Sequence, residues 1–245
     1  MSSESTAPSP TTIEISIAPL FATPVLIFTL EQHERLNAEL SRAILEREAS
    51  QPAHSDPEVV GWSSPHDLAM LEWGGPALRE LLGRVIEVAS HMTELAGESD
   101  RAEGPKRDDR RLDWRVAEVW ANVHRKGGSN AAHAHPGSFW AGVYYVDAGE
   151  SMSGSCGGEL RLFDPRGCLP RMLAPYLRYK TPELHDAGTS VSFTPVSGQC
   201  LLFPGWLFHA VNVYTGTAPR ISIAFNLDPV VRDGDENRLV IEGSR

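Results

Sequence analysis

Between residues 31 and 48, Leu36, Leu40, Ile44 and Leu45 recur at helical spacing among charged neighbours, which predicts an amphipathic helix. A second helix is predicted over 75–96, with Leu78, Leu81, Leu82, Val85, Ile86 and Ala89 as its apolar stripe and a polar loop through Gly104 and Pro105 behind it. After Arg111 the helical period gives way to β-type patterning. Residues 114–123 alternate, and short β-type runs follow at 142–146, 159–163, 191–194, 199–203, 209–214 and 220–226, separated by Gly, Pro and Asp clusters. Ahead of the first helix, 13–30 is rich in Ile, Val, Phe and Thr and is broken by Pro19 and Pro24, the pattern of short strands around a turn. The expected architecture is an antiparallel sandwich or barrel in the second half, with the helices bracing one outer face of the sheet. Two connections are long, 147–158 and 165–190. The second, which carries Tyr176, Arg178, Tyr179 and Lys180, has the length of a functional loop and is a candidate lid.

Composition narrows this without changing it. Residues 1–12, rich in Ser, Thr and Pro, are expected to be a disordered lead-in. The remainder, 13–245, is expected to be one domain, with strands and bracing helices over 13–111 and the sheet core over 112–230. Hydrophobic residues at 41% and charged residues at 22% suit a globular protein. A formal net charge of −10 speaks against non-specific nucleic-acid binding, which needs surplus Lys and Arg, and leaves small molecules or peptides as partners. No apolar run approaches the roughly 20 residues of a membrane span, and the opening residues lack a basic start and apolar core, so the expected location is the cytoplasm. Cys156, Cys168 and Cys200 are too few and too irregular for a disulfide framework and are expected to be reduced. Oligomeric state stays open between a monomer and a homodimer.

The candidate chemistry lies in the β-rich half. In extended chain His133 and His135 send both imidazoles to one face, and His209 begins a later strand after the turn Pro204-Gly205-Trp206. Three facial imidazoles suit Fe(II), Zn or Cu and leave coordination positions open, although a His-x-His pair alone is also the pattern of hydrogen-bonded surface histidines. Arg220 and Ser222 share a face of their strand, an Arg fork and a hydroxyl suited to a planar carboxylate. Asn122 is a candidate ligand contact, because an amide inside a barrel needs partners. Tyr144 and Tyr145 point to opposite faces, which makes one a core residue and the other a candidate hydrogen-bond donor. Trp120 and Trp140 flank the same region. His33, His54, His66, His91, His124 and His185 receive no metal role and are read as surface or satisfied groups.

The ordered set resembles the 2-oxoglutarate and Fe(II)-dependent oxygenases, in particular the bacterial group with a His-x-His-Pro-x-Ser segment. Here it reads His133-Ala134-His135-Pro136-Gly137-Ser138, leading into Ala141-Gly142-Val143-Tyr144-Tyr145-Val146. The likeness continues through Gly157-Gly158-Glu159-Leu160, Asp164-Pro165-Arg166, Leu202-Phe203-Pro204 and Arg220-Ile221-Ser222-Ile223-Ala224-Phe225-Asn226, and touches Leu20-Phe21-Ala22-Thr23-Pro24. It implies a mainly β protein with flanking helices built on a double-stranded β-helix, a jelly-roll or cupin-like fold. It also implies Fe(II), 2-oxoglutarate split to succinate and carbon dioxide, O2, and hydroxylation of an unactivated C–H bond. Residue by residue, His133 and His209 match the family's histidine ligands, and Arg220 with Ser222 matches its 2-oxoglutarate anchor. His135 stands where the wider superfamily places Asp or Glu. If it is not the third ligand, Glu159 or Asp147 is the nearest alternative; because His leaves no vacancy for chloride, halogenation is not expected.

Two other readings remain at this point. One is a cupin-type dioxygenase or hydrolytic enzyme with three histidine ligands and no use of 2-oxoglutarate. The other is a non-enzymatic small-molecule-binding β-sandwich with structural histidines.

Overall fold

A computed structural model of the chain describes residues 21–54, 57–95, 110–149, 156–167 and 189–232. The expected lead-in, the loop at Gly104 and Pro105, Cys168, His185 and most of the expected lid, with Tyr176, Arg178, Tyr179 and Lys180, lie outside the described residues.

Helix α1 (His33–Ser50) buries Leu36, Leu40 and Ile44, and its charged face carries the Arg35–Glu39 ion pair at 2.9 Å. Arg35 also bridges to Glu80 of α3 at 2.7 Å, outside the apolar contact. A short α2 (Met70–Trp73) leads into α3 (Gly75–His91), where Pro76 in the first turn lacks only an N–H that would go unbonded there anyway. Helix α3 buries Leu78, Leu81, Leu82, Val85 and Ala89, the predicted stripe. Both long helices pack on one sheet, α1 against β6 (Trp140–Asp147) and α3 against β4 (Arg111–His124).

That sheet has the order β1 (Leu26–Thr29), β9 (Gln199–Pro204), β6, β11 (Arg220–Arg232), β4, β3 (Trp62–Ser63). The facing sheet runs β2 (Val59–Val60), β5 (Ser129–His133), β10 (His209–Val211), β7 (Leu160–Phe163), β8 (Ser190–Phe193). All the pairings are antiparallel, as expected for a double-stranded β-helix. Period-two alternation sorts the larger sheet's side chains. On β6, Trp140, Tyr144 and Val146 join the cluster under the helices, whereas Ala141, Val143 and Tyr145 enter the space between the sheets. On β4 and β11 the residues under the helices are apolar: Val119, Ala121, Val123, Ile221, Ile223, Phe225 and Leu227. Their alternates, Trp120, Asn122, His124, Arg220 and Ser222, line the cavity between the sheets. The barrel interior is therefore apolar along β6 and β9 and polar along β4 and β11, and a polar interior needs partners.

Several boundaries differ from the sequence reading. Residues 129–133 form β5, which was not expected as a strand, because Ser129-Asn130-Ala131-Ala132-His133 lacks β-branched residues; pairing with β2 and β10 supplies what propensity does not. Strand β4 starts at Arg111 and β11 continues to Arg232, because the two pair along their full length. Strand β10 ends at Val211, short of the expected 214, since Tyr214 leaves the sheet to donate its hydroxyl to the Ala218 carbonyl at 2.7 Å. Helix α3 ends at His91 rather than 96. Of 13–30, only Leu26–Thr29 is a strand among the described residues.

Candidate metal centre and co-substrate pocket

His133 ends β5 and His209 opens β10, and the two are direct cross-strand partners. Their ring centroids lie 4.3 Å apart. His135 follows in the turn, which is stitched to the 204–206 turn: its own N–H donates to the Gly205 carbonyl at 2.8 Å, and the Gly205 N–H donates to Phe139 O at 3.1 Å. A Cβ at Gly205 would collide with the backbone oxygens of Ser138 and His135, so only glycine lets the turns approach this closely. The result places the His135 ring 5.1 Å from both His133 and His209. One nitrogen from each of the three lies within 4.8 Å of the others, an arrangement that can close on a single ion.

Two of the rings are oriented for this. The Nδ1 of His133 is 2.8 Å from the Ala131 carbonyl, and that of His209 is 2.9 Å from the Leu207 carbonyl. A carbonyl can only accept, so each Nδ1 carries the proton and each Nε2 keeps a lone pair. Burial, then the charge of His133, pushes His209 down to about 3. Burial, then His133 and His66, pushes His135 down to about 4. At neutral pH both are neutral imidazoles, the form that binds metal, and the donor set fits Fe(II).

No carboxylate joins the three among the described residues. Asp147, exposed at the end of β6, accepts the Gly149 N–H at 2.9 Å, and Glu159 accepts from Asn212 at 3.1 Å, so neither alternative ligand reaches the histidines. The nearest acid is one that sequence reading did not single out. Glu58 lies beside β2 with a carboxylate oxygen 3.9 Å from His133 Nδ1.

Deeper in the barrel Arg220 is fully buried. Its Nη1 donates to His124 Nδ1 at 3.0 Å and lies 3.5 Å from the Ser222 hydroxyl. Its Nε and Nη2 make no hydrogen bond of full geometry among the described residues, with the Tyr145 hydroxyl close enough for a weaker interaction. Burial lowers its pKa while Tyr145, Tyr214 and Glu159 pull it up, and a guanidinium stays charged regardless. The Tyr145 ring lies 5.0 Å from the guanidinium carbon. Its hydroxyl is buried and interacts with that guanidinium, and Asn122 Oδ1 is buried without a partner among the described residues. These groups and the three histidines line one interior cavity of about 40 Å³. A wider cavity of about 360 Å³, which shares Trp120, His133 and His135 with it and is also bordered by Glu58, His66 and Phe208, forms the mouth.

Of the residues singled out from sequence, His133, His135, His209, Arg220, Ser222, Asn122 and Tyr145 come together. Tyr144 does not: it faces the helices, and its hydroxyl donates to Asn37 of α1 at 2.6 Å. Trp140 also faces the helices, and its indole donates to Thr93 at 3.0 Å. Sequence reading missed two histidines. His66 stacks on Trp120 with centroids 4.3 Å apart, and His124 is a buried partner of Arg220 rather than a surface group. The signal for His124 was its parity on β4 with Trp120 and Asn122.

Residues 118–226 match the family model described as "Putative 2OG-Fe(II) oxygenase". No curated protein matches the chain by sequence. Among solved structures, a prolyl-4-hydroxylase from Pseudomonas putida shares the fold at 15% identity, with a TM-score of 0.53 over 85% of this chain and 94% of that one. A prolyl hydroxylase from Trichoplax adhaerens, solved with a hypoxia inducible factor peptide, also has 15% identity and a TM-score of 0.53, over 82% of this chain and 83% of that one. The matched segment 118–226 contains all three histidines of the cluster and the buried arginine, and the family that it resembles is one of enzymes that use Fe(II), 2-oxoglutarate and O2.

Proposed function

We propose that His133, His135 and His209 hold the Fe(II), that Arg220 and Ser222 hold the far carboxylate of 2-oxoglutarate with Tyr145 and Asn122 beside it, and that the enzyme hydroxylates a C–H bond of a small molecule, amino acid or peptide side chain entering at the mouth. One observation carries this: a single cavity is lined by the three imidazoles and by a buried guanidinium whose Nε and Nη2 make no hydrogen bond of full geometry among the described residues. Those two N–H groups lie on one side of the planar fork and can receive both oxygens of a carboxylate. Bound iron supplies the activation of O2. The chain's own residues orient: the carbonyls of Ala131 and Leu207 fix two ligand rings, Arg220 sets the direction of the co-substrate, and Trp120 with His66 walls the mouth.

The whole of 13–245 acts as one domain in this reading, supported by the packing of α1 and α3 on the site-bearing sheet. Its place is the cytoplasm. No helix among the described residues is long and apolar enough to cross a membrane. A three-histidine dioxygenase that makes no use of 2-oxoglutarate gives the buried fork no task.

The test is a 2-oxoglutarate titration against succinate formation in wild type and Arg220→Ala, with iron content measured alongside. Removing one member of a buried charge pair costs roughly 2–5 kcal/mol, which is about 30-fold or more in half-saturation. Iron should stay at the wild-type level. Normal iron with an unchanged half-saturation would overturn the anchor assignment.

A further inference from the structure

We infer that His124 is a positioning residue for 2-oxoglutarate, acting through Arg220 by tying down one side of its guanidinium so that the other side faces the co-substrate. The inference rests on the assignment of Arg220 as anchor and adds a residue to it.

His124 and Arg220 are opposite each other in the β4–β11 ladder, and both point into the barrel. Arginine has donors only, so the 3.0 Å contact requires His124 Nδ1 to accept and therefore to carry no proton. The ring is then the neutral Nε2–H tautomer. Burial, then the charge of Arg220, pushes its pKa down to about 3, so the imidazole adds no second cation beside Arg220.

The ring has little room to turn. A Cβ at Gly128 would lie 2.8 Å from His124 Cβ and 2.9 Å from Cδ2, and one at Gly61 would lie 3.0 Å from Cδ2. Two backbone segments thus close on the imidazole, and Asn130 is within interaction range of it. The guanidinium is confined as well, since a Cβ at Gly158 would lie 3.0 Å from Arg220 Cδ and 3.2 Å from Nε. Ser222 at 3.5 Å is too long a contact to fix the fork alone. Without the acceptor at His124, Nη1 loses its short hydrogen bond in a dry site, and the fork, still confined at Cδ and Nε, loses the contact that fixes its Nη1 end.

The experiment compares two ligands on the iron-loaded protein by anaerobic calorimetry. 2-Oxoglutarate uses the fork, whereas 2-oxovalerate keeps the 2-oxoacid end and lacks the far carboxylate. In His124→Leu, affinity for 2-oxoglutarate should fall about 10-fold or more, the usual scale for a hydrogen bond to a charged group. Affinity for 2-oxovalerate and iron content should stay at wild-type values. His124→Asn, whose amide oxygen can take the place of Nδ1, should restore most of the lost affinity, and His124→Gln should not. That pair carries the same test if the leucine variant does not fold. Equal weakening of both ligands would show that His124 only supports the fold or the metal end, and no weakening of either would also overturn the inference. Arg220→Ala separates the two levels. If it weakens 2-oxoglutarate while His124→Leu does not, the His124 inference alone fails; if it too leaves 2-oxoglutarate unaffected, the anchor reading fails and this inference with it.

Discussion

A neutral imidazole at position 135, where a carboxylate would bring a negative charge, leaves a bound divalent ion one unit more positive. On the proposed ligand set, a doubly charged co-substrate would then cancel the charge, and the ion would depend on all three rings for retention. His133→Ala, His135→Ala and His209→Ala should each lose iron with the fold intact, while His135→Asp should keep part of it, read as metal per protein after desalting. Full iron in His135→Ala would place the third ligand elsewhere. The buried histidines also set a pH dependence in the metal-free protein. His124 has an ordinary value of 6.5 and a folded value of about 3, so below 6.5 the unfolded chain takes up a proton that the folded one refuses. Its contribution is complete above about 6.5 and is lost as the pH falls toward 3; His209 and His135 act in the same sense, with folded values of about 3 and 4. Denaturation midpoints of the apo protein should fall from pH 7.5 to pH 5, and His124→Asn should flatten part of that slope. An unchanged midpoint across this range would mean the rings are not buried in their neutral form.

Strand β6 shows how an element divides its work between two faces. Tyr144 and Tyr145 are adjacent in sequence and both fully buried, yet one hydroxyl is bonded to a helix and the other lies in the cavity beside Arg220. Tyr144→Phe should cost about 1 kcal/mol of stability, the scale of one hydrogen bond, with 2-oxoglutarate half-saturation unchanged. Tyr145→Phe should raise the half-saturation, with little loss of stability. The opposite pattern in melts and titrations would exchange the two roles. Alternation made the division readable in advance, but not its direction, because both strand faces here meet protein. Strand β5 is the contrasting case. Its sequence carries no strong β signal, and only its neighbours β2 and β10 make it a strand and align His133 with His209.

At the scale of the molecule, helices on one side and a second sheet on the other bury both faces of the larger sheet, so metal bound at the proposed site would add to the stability of the whole two-sheet core. Fe(II) or Zn at about 100 times its Kd should stabilise the folded state by about 2.7 kcal/mol, seen as a rise in Tm that a chelator reverses. His133→Ala and His209→Ala should show no such rise. A wild-type Tm indifferent to metal would remove the ion from the folded barrel.

Local pattern determined the two long helices with their apolar stripes, most of the strands, and the placing of Arg220 and Ser222 on one strand face. Each of those depends on a period of 3.6 or 2 and on residues close together in the chain, so the physics is present in a short window. The tertiary structure alone decided that His209 stands opposite His133, that Tyr145 rather than Tyr144 enters the cavity, that Glu58 and His66 border the mouth, and that His124 holds Arg220. Those relations join residues as far apart as the 76 positions from His133 to His209 and the 96 from His124 to Arg220, or depend on which sheet face meets the helices, and nothing local distinguishes a buried histidine beside a cation from one on the surface. Register and layer packing make that distinction, and they exist only once the chain has closed.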